Sequence, residues 1–449
     1  MSDTIIEFLK SLIEFPSVSS DNSKRQICLE TANFLIKSLK SLGAETKLVE
    51  NESKGKNPII LAKLLKDPSR PTLLCYSHYD VQPALKEDGW ATDPFVPTIQ
   101  TDKDYIYGRG VSDDKGPIAS TFFATKELID EGFSFNLAFL FEGEEESSSG
   151  GFEETVTKHR DFFDKINGIL VLDTSWLGEK RPSMDYGFRG IAYMGIEISG
   201  PTTDKHSGFG GTIREPMTDL ISIMSKLVTP EGKVLINGFY DSVRPLAKDE
   251  RKLYDNVEFS VSDYEKFMGR DILLSRDPRT LLMNTWRYPT LSLHGVEGAF
   301  SGPGSKTVIP AKVVGKVSMR LVPDQNPQKI ADLFAEFVTK RFKELKSPNV
   351  MKVVPLGLGD WWLGDVSNFL FKAGHKAIAD YWQMEPAYAR SGGSIPIVSF
   401  MEKSFGAPAM GLGIGQSTDG AHSQNERIRI KNLIGGKEVI KRIIKLTAE

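Results

Sequence analysis

Residues 136–146 read NLAFLFEGEEE. An uncharged run gives way at once to four carboxylates in five positions, Glu142, Glu144, Glu145 and Glu146. A short, continuous apolar run of this kind, closed by polar residues, reads as a strand buried on both faces. Such strands belong to α/β sheets, whose sites lie outside the carboxyl ends of the strands. The same pattern recurs on either side. Residues 72–76 (TLLCY) run into Ser77-His78-Tyr79-Asp80, and residues 168–172 (GILVL) into Asp173. Residues 407–412 lead through a Gly-rich loop to Asp419-Gly420-Ala421-His422. Between the first two strands, residues 108–116 (GRGVSDDKG) form a turn that enters a helix.

Helical spacing surrounds these strands. Ile5, Leu9, Leu12 and Ile13 mark one helix, and Ile27, Ala32, Leu35, Leu39 and Leu42 a second. Residues 115–131, 151–165, 366–382 and 431–446 complete the set. Strands alternating with helices predict a mostly parallel sheet covered on both faces. The middle of the chain differs. Residues 191–199 and 312–321 alternate apolar and polar side chains, as half-exposed strands do. Residues 216–227 look helical, and Asn326-Pro327 opens an amphipathic helix that runs through Phe342. The expectation is an α/β domain, residues 1–187 and 364–449, interrupted by a two-layer α+β domain at 188–363.

Composition narrows the function. With 449 residues, 40% hydrophobic, 26% charged and a net charge of −3, the chain is too apolar and too balanced to be disordered. That charge gives no reason to expect nucleic acid as a partner. No apolar run reaches the ~18 residues of a membrane span. The opening MSDTIIEFLKSLIEF has neither a basic n-region nor a small-residue cleavage site, so no signal peptide is read there. Two cysteines, Cys28 and Cys75, cannot make a disulfide framework and fit a reducing cytosol.

Each polar element has an ordinary structural reading. His78-x-Asp80 could be a surface pair, the Glu run a solvated face, and Asp113-Asp114 a helix N-cap. Their joint placement at strand ends points elsewhere. Two histidines with several carboxylates and no cysteine form an N/O donor set suited to zinc, manganese or cobalt. Carboxylates outnumber imidazoles, which favours two metals and a bridging carboxylate over a single zinc. Of the other histidines, His159 and His375 read as surface residues. His294, in the strand-like TLSLHGVEG, is core or lid. His206, in a Gly-rich loop of the middle domain, is open to either reading.

With those residues identified, the chain resembles the M20 family of metallopeptidases, in its branch of cytosolic non-specific dipeptidases and carnosinases. The segments that carry the resemblance are SHYDVQPA, YGRGVSDDKGP, FEGEEESSSGG, WRYPTLSLHGVEGAFSGPGSKTVIPAK and TDGAHSQNE, in that order. It departs at Ser148, where the family usually has glycine, and in Glu144, which adds a third carboxylate. The resemblance implies two divalent ions, Zn²⁺ or Mn²⁺, on the α/β domain and an inserted lid that also dimerises. It implies hydrolysis of a dipeptide by a metal-bridging hydroxide. His78 and Asp173 would complete one metal site, Glu146 and His422 the other, and Asp113 would bridge them. Asp80 would orient His78, and Glu145 would be the general base. Arg320 and Ser394, with Thr307 nearby, would hold the substrate's carboxylate end. His206 would reach the partner subunit's site and hydrogen-bond the substrate carbonyl. The Asp113–Asp114 peptide is expected to be cis. The competing functions are an aminoacylase or deacylase of N-acyl amino acids, and a non-catalytic binding subunit of the same family.

Overall fold

The computed structural model describes residues 4–255, 257 and 259–448, so the first three residues of the N-terminal stretch read above lie outside it. The chain divides into two compact units. The first comprises residues 1–186, 364–389 and 397–449; the second comprises 187–363 together with 390–396.

The first unit is built on the strands read from the sequence. Thr72–His78 lies in the centre, parallel to Asn136–Glu142 on one side and to Gly168–Val171 on the other. Ala409–Leu412 continues the parallel set beyond Gly168–Val171. Antiparallel strands flank these four. Ile59–Leu65 and then Glu45–Val49 extend one side, and Ser183–Phe188 pairs with Ala409–Leu412 on the other. Every residue of Thr72–His78 and Asn136–Glu142 is buried, which is why both are apolar without alternation.

Side-chain alternation along each strand supplies two buried faces. Phe139 and Phe141 point to the side where Phe8, Leu35, Leu39, Ile118 and Phe122 converge. These come from helices Ile5–Ile13, Arg25–Ser41 and Lys115–Asp130. Tyr76 points to the other side and meets Phe152 edge-on at 6.1 Å; Phe152 in turn meets Phe400 at 6.2 Å. The helix expected over 151–165 is shorter, Phe152–Lys158 followed by a single 3₁₀ turn. The β-branched run Thr155-Val156-Thr157 gives it little propensity to continue.

The second unit holds a four-stranded antiparallel sheet in the order Thr290–Glu297, Lys312–Leu321, Gly190–Ser199, Val350–Gly359. Helices Pro216–Met224 and Pro327–Glu344 pack on it. Their core joins Leu220, Ile223, Phe334 and Val338 to Met194, Ile196, Val317 and Met319. Asn326 caps the longer helix by accepting the Lys329 N–H at 2.9 Å. The edge strand Val350–Gly359 is not expected from the sequence, because Pro355 argues against a strand interior. At the edge, Pro355 is tolerated, and the pairing shifts register where it faces Met194.

The assignment of Phe139 to the helix-covered face is testable. Phe139→Ala should destabilise the protein by about 3–5 kcal/mol, the usual cost of emptying a buried aromatic position. Denaturant unfolding of the two proteins measures it.

Candidate metal centre

The four parallel strands end at one level, and the loops that leave them carry the polar residues. His78 is the last residue of its strand and pairs in register with Glu142. Its Nδ1 lies 3.0 Å from the Asp80 carbonyl oxygen, an acceptor, so that nitrogen carries the proton. Nε2 faces the loops, 2.9 Å from Asp113 Oδ1 and 3.8 Å from Asp173 Oδ1. The other oxygen of Asp113 lies 3.1 Å from His422 Nε2, and Glu146 Oε2 lies 3.0 Å from the same nitrogen. Asp113 therefore presents one oxygen to each imidazole.

Two groups of donor atoms result, each with its members within 4.8 Å of one another: His78, Glu145 and Asp173, and Asp113, Glu146 and His422. The Asp113–Asp114 peptide is cis, as expected. His422 has φ 62°, a left-handed conformation uncommon for a residue with a side chain.

The electrostatics follow from crowding. Burial would push His78 down, but hydrogen bonds to Asp113, Asp173 and Asp80 outweigh it and hold the imidazole well above its ordinary pKa. Asp113 and Glu146 push His422 up to about 11. Burial raises Glu145 and Asp173, and Glu145 is raised further by the Asp173 carboxylate beside it. Four carboxylates around two imidazoles leave the centre short of positive charge. Its nitrogen and oxygen donors, with no thiolate, suit zinc or manganese.

The structure separates the strand-end carboxylates that the sequence left together. Glu144 is buried in a different direction. Its Oε2 lies 2.8 Å from Lys56 Nζ, and its Oε1 accepts the Asn57 N–H at 2.8 Å. Glu142 accepts hydrogen bonds from Tyr76 Oη at 2.7 Å and Ser149 Oγ at 3.0 Å. Asp419 accepts the Gln416 N–H at 2.7 Å. Asp80 does more than face His78. Its two oxygens accept the N–H groups of Glu145 and Glu146, at 3.2 and 3.1 Å, and so support the turn that carries both.

Gln82 escaped the sequence reading. Its backbone N–H reaches Glu146 Oε1 at 3.2 Å and its amide reaches Oε2 at 2.9 Å, fixing that carboxylate. A Gln four residues after a metal-type His is too common a pattern to stand out.

In the second unit, His206 is exposed. Its Nδ1 accepts the Gly208 N–H at 2.9 Å, and Nε2 lies 3.4 Å from Thr307 Oγ1. The neutral ring therefore carries its proton on Nε2, on the side of Thr307 Oγ1. Arg320 donates to Ser394 Oγ at 2.6 Å. Arg189 donates to the Gly392 carbonyl at 2.9 Å. Burial first, then the Arg320 and Arg390 guanidinium groups, lower Arg189 to about 9. Glu250 answers Arg390 and Arg287, at 2.8 and 3.0 Å. Among the described residues, Arg189 and Arg320 make their bonds to neutral oxygens. His159 lies on the surface beside Lys47, His375 beside Glu385, and His294 donates to or accepts from Ser318 Oγ on its exposed strand.

Residues 74–446 match peptidase family M20/M25/M40. The chain is 45% identical to the Cys-Gly metallodipeptidase DUG1 of Candida albicans, over 96% of this chain and 92% of that one. It is 36% identical to the Beta-Ala-His dipeptidase of Mus musculus, over 96% and 91%. The solved structure of the di-peptidase Dug1p from Saccharomyces cerevisiae superposes with a TM-score of 0.93 at 39% identity, covering 99% of this chain and 95% of that one. With the donor groups, the fold and these similarities in agreement, the chain belongs to peptidase family M20/M25/M40.

Proposed function

We propose that the protein is a two-metal dipeptidase. The observation that carries this reading is Asp113, whose two oxygens face His78 and His422 at 2.9 and 3.1 Å. His78 and Asp173 would hold one divalent ion, Glu146 and His422 the other, with Asp113 shared. Bound Zn²⁺ or Mn²⁺ supplies Lewis acidity, polarising the scissile carbonyl and acidifying water for attack at neutral pH. Glu145 is the base: it takes the water proton and delivers it to the leaving amine. Asp80 keeps His78 and the Glu145-Glu146 turn in place.

The names of the relatives support dipeptides as the substrate class over N-acyl amino acids. Arg320 and Ser394 would bind the substrate carboxylate, with Thr307 beside His206. His206 would donate from Nε2 to the carbonyl oxygen as it gains charge, acting on the partner subunit's site in a homodimer. The exposed apolar edge strand of the second unit, with Val350, Leu356 and Leu358, supports self-association. No helix among the described residues is long and apolar enough to cross a membrane. Cys28 and Cys75 are both buried and free, which supports a cytoplasmic location.

Metal analysis and a dipeptide panel test the assignment. Asp113→Ala should lose both metal and activity while remaining folded. Glu145→Gln should retain two metals per chain and lower kcat by roughly 10²–10⁴-fold, the usual worth of general acid–base catalysis. Loss of metal in Glu145→Gln would make Glu145 a ligand. Hydrolysis of acetylated amino acids in place of dipeptides would make the enzyme an aminoacylase.

Metal binding should also depend on pH. The proton on His422, held there to about pH 11 in the metal-free protein, must leave before the ring can ligate. Affinity should therefore rise with pH, and binding should release protons. Titration calorimetry in two buffers of different ionisation enthalpy measures the release.

His206→Ala should keep both metals and lower kcat by ~10²–10³-fold, the worth of one oxyanion donor. Subunit exchange with Glu145→Gln should restore activity, because one site of the heterodimer then has Glu145 and receives His206. Proven heterodimers without activity would place His206 within its own chain's chemistry or outside it.

A further inference from the structure

Glu426 closes the TDGAHSQNE segment, four residues after His422, and no catalytic or ligand role falls to it above. It is fully buried. Its carboxylate takes four donors, and all of them belong to the loop that carries Asp113. Oε1 accepts the N–H groups of Ser112 at 2.9 Å and Asp113 at 3.1 Å. Oε2 accepts the Gly110 N–H at 2.9 Å and Arg109 Nη1 at 2.8 Å. The Glu426 carbonyl receives the Gly108 N–H at 3.0 Å. Arg109 reaches back to the Ser423 carbonyl at 3.1 Å and lies over the Trp90 ring at 5.3 Å. The two loops thus close on each other, one carrying Asp113 and the other His422.

A carboxylate in this position is costly unless every lone pair has a partner, and here the partners are the backbone of residues 110–113. That backbone sets where the Asp113 carboxylate stands. We propose that Glu426 is the positioning residue of the metal centre: it holds the 110–113 backbone so that Asp113 gives one oxygen to each metal, and it locks the Asp113 loop to the His422 loop. The proposal rests on the two-metal reading above.

The neutral isostere breaks the arrangement without removing volume. In Glu426→Gln one acceptor becomes an NH₂ group aimed at two N–H donors, so half of the loop's bonds are lost. Wild type and variant are titrated with Mn²⁺ after chelator treatment. Affinity is read by competition, and exchange coupling between the two ions by electron paramagnetic resonance. The melting temperature is taken with chelator present. The expected result is metal affinity about 10–100-fold weaker, the usual effect of losing a residue that orients ligands. Coupling should also weaken at saturating Mn²⁺, because Asp113 no longer spans the pair. Glu426→Asp, which keeps the charge on a shorter arm, should recover part of both. A lower melting temperature with wild-type affinity and coupling would make Glu426 a structural residue only and overturn the proposal. If Glu426→Gln does not fold, Glu426→Asp decides: weakened affinity and coupling support the proposal, wild-type values overturn it. Asp113→Ala is the control. If it retains two coupled Mn²⁺ ions, the bridging reading itself fails; if it loses them while Glu426→Gln does not, only the positioning role fails.

Discussion

The centre depends on one carboxylate doing two things at once. Asp113 must offer an oxygen to His78 and another to His422, although those residues stand on strands and loops far apart in sequence. A side chain with two rotatable bonds cannot arrange this alone. The four parallel strands bring His78, Asp173 and the Glu145-Glu146 turn to a common level, because parallel pairing puts Glu142 in register with His78 and Val171 in register with Tyr76. The Asp113 loop then has to be placed from the side, between the sheet and the 413–426 loop. Lys115 helps from beneath: its buried ammonium donates to the carbonyls of Leu12 and Phe15, at 3.0 and 2.7 Å, and ties the start of its helix to the N-terminal one.

Concentrating carboxylates for a cation raises a problem of its own, since each buried charge must be paired or hydrogen-bonded. The structure solves it by sorting. Glu144 goes to Lys56, Glu426 to Arg109 and the loop amides, and Glu142 to two hydroxyl groups. The carboxylates of Asp113, Glu145, Glu146 and Asp173 face one another and the imidazoles. Their mutual repulsion makes the centre a receptor for divalent cations, and their burial pushes Glu145 toward holding a proton. Neighbours in one Glu triplet therefore have different chemistry: Glu144 is an internal salt-bridge partner, while Glu145 and Glu146 turn to different donor groups.

Much of this was legible in the sequence because strand ends in α/β sheets are few, and a polar residue directly after NLAFLF or GILVL has little choice of position. The two-domain plan was readable from a change of periodicity: continuous apolar runs in one part, alternation in the other. What could not be read depended on partners distant in sequence. Nothing in FEGEEESSSGG says that Lys56 will take Glu144 and leave the next two residues free. Gln82 and Glu426 are ordinary polar residues until the fold sets one against Glu146 and the other against four N–H donors. The edge strand Val350–Gly359 was hidden for a local reason, since its proline is acceptable only at a sheet edge.

The second unit obeys the opposite electrostatic rule. Where the first concentrates carboxylates, this one concentrates guanidinium groups, and Glu250 pairs with Arg390 and Arg287. Among the described residues, Arg189 and Arg320 donate to carbonyl and hydroxyl oxygens, and no carboxylate pairs with either. Burial first, and then the neighbouring Arg320 and Arg390 guanidinium groups, lower the Arg189 pKa to about 9. Under the proposed function the two deficits have complementary remedies. Divalent cations relieve the first, and a carboxylate relieves the second. A dipeptide carries its carboxylate at a nearly fixed number of bonds from the carbonyl that must be attacked. An anion site of this kind would hold that end of the substrate by its charge.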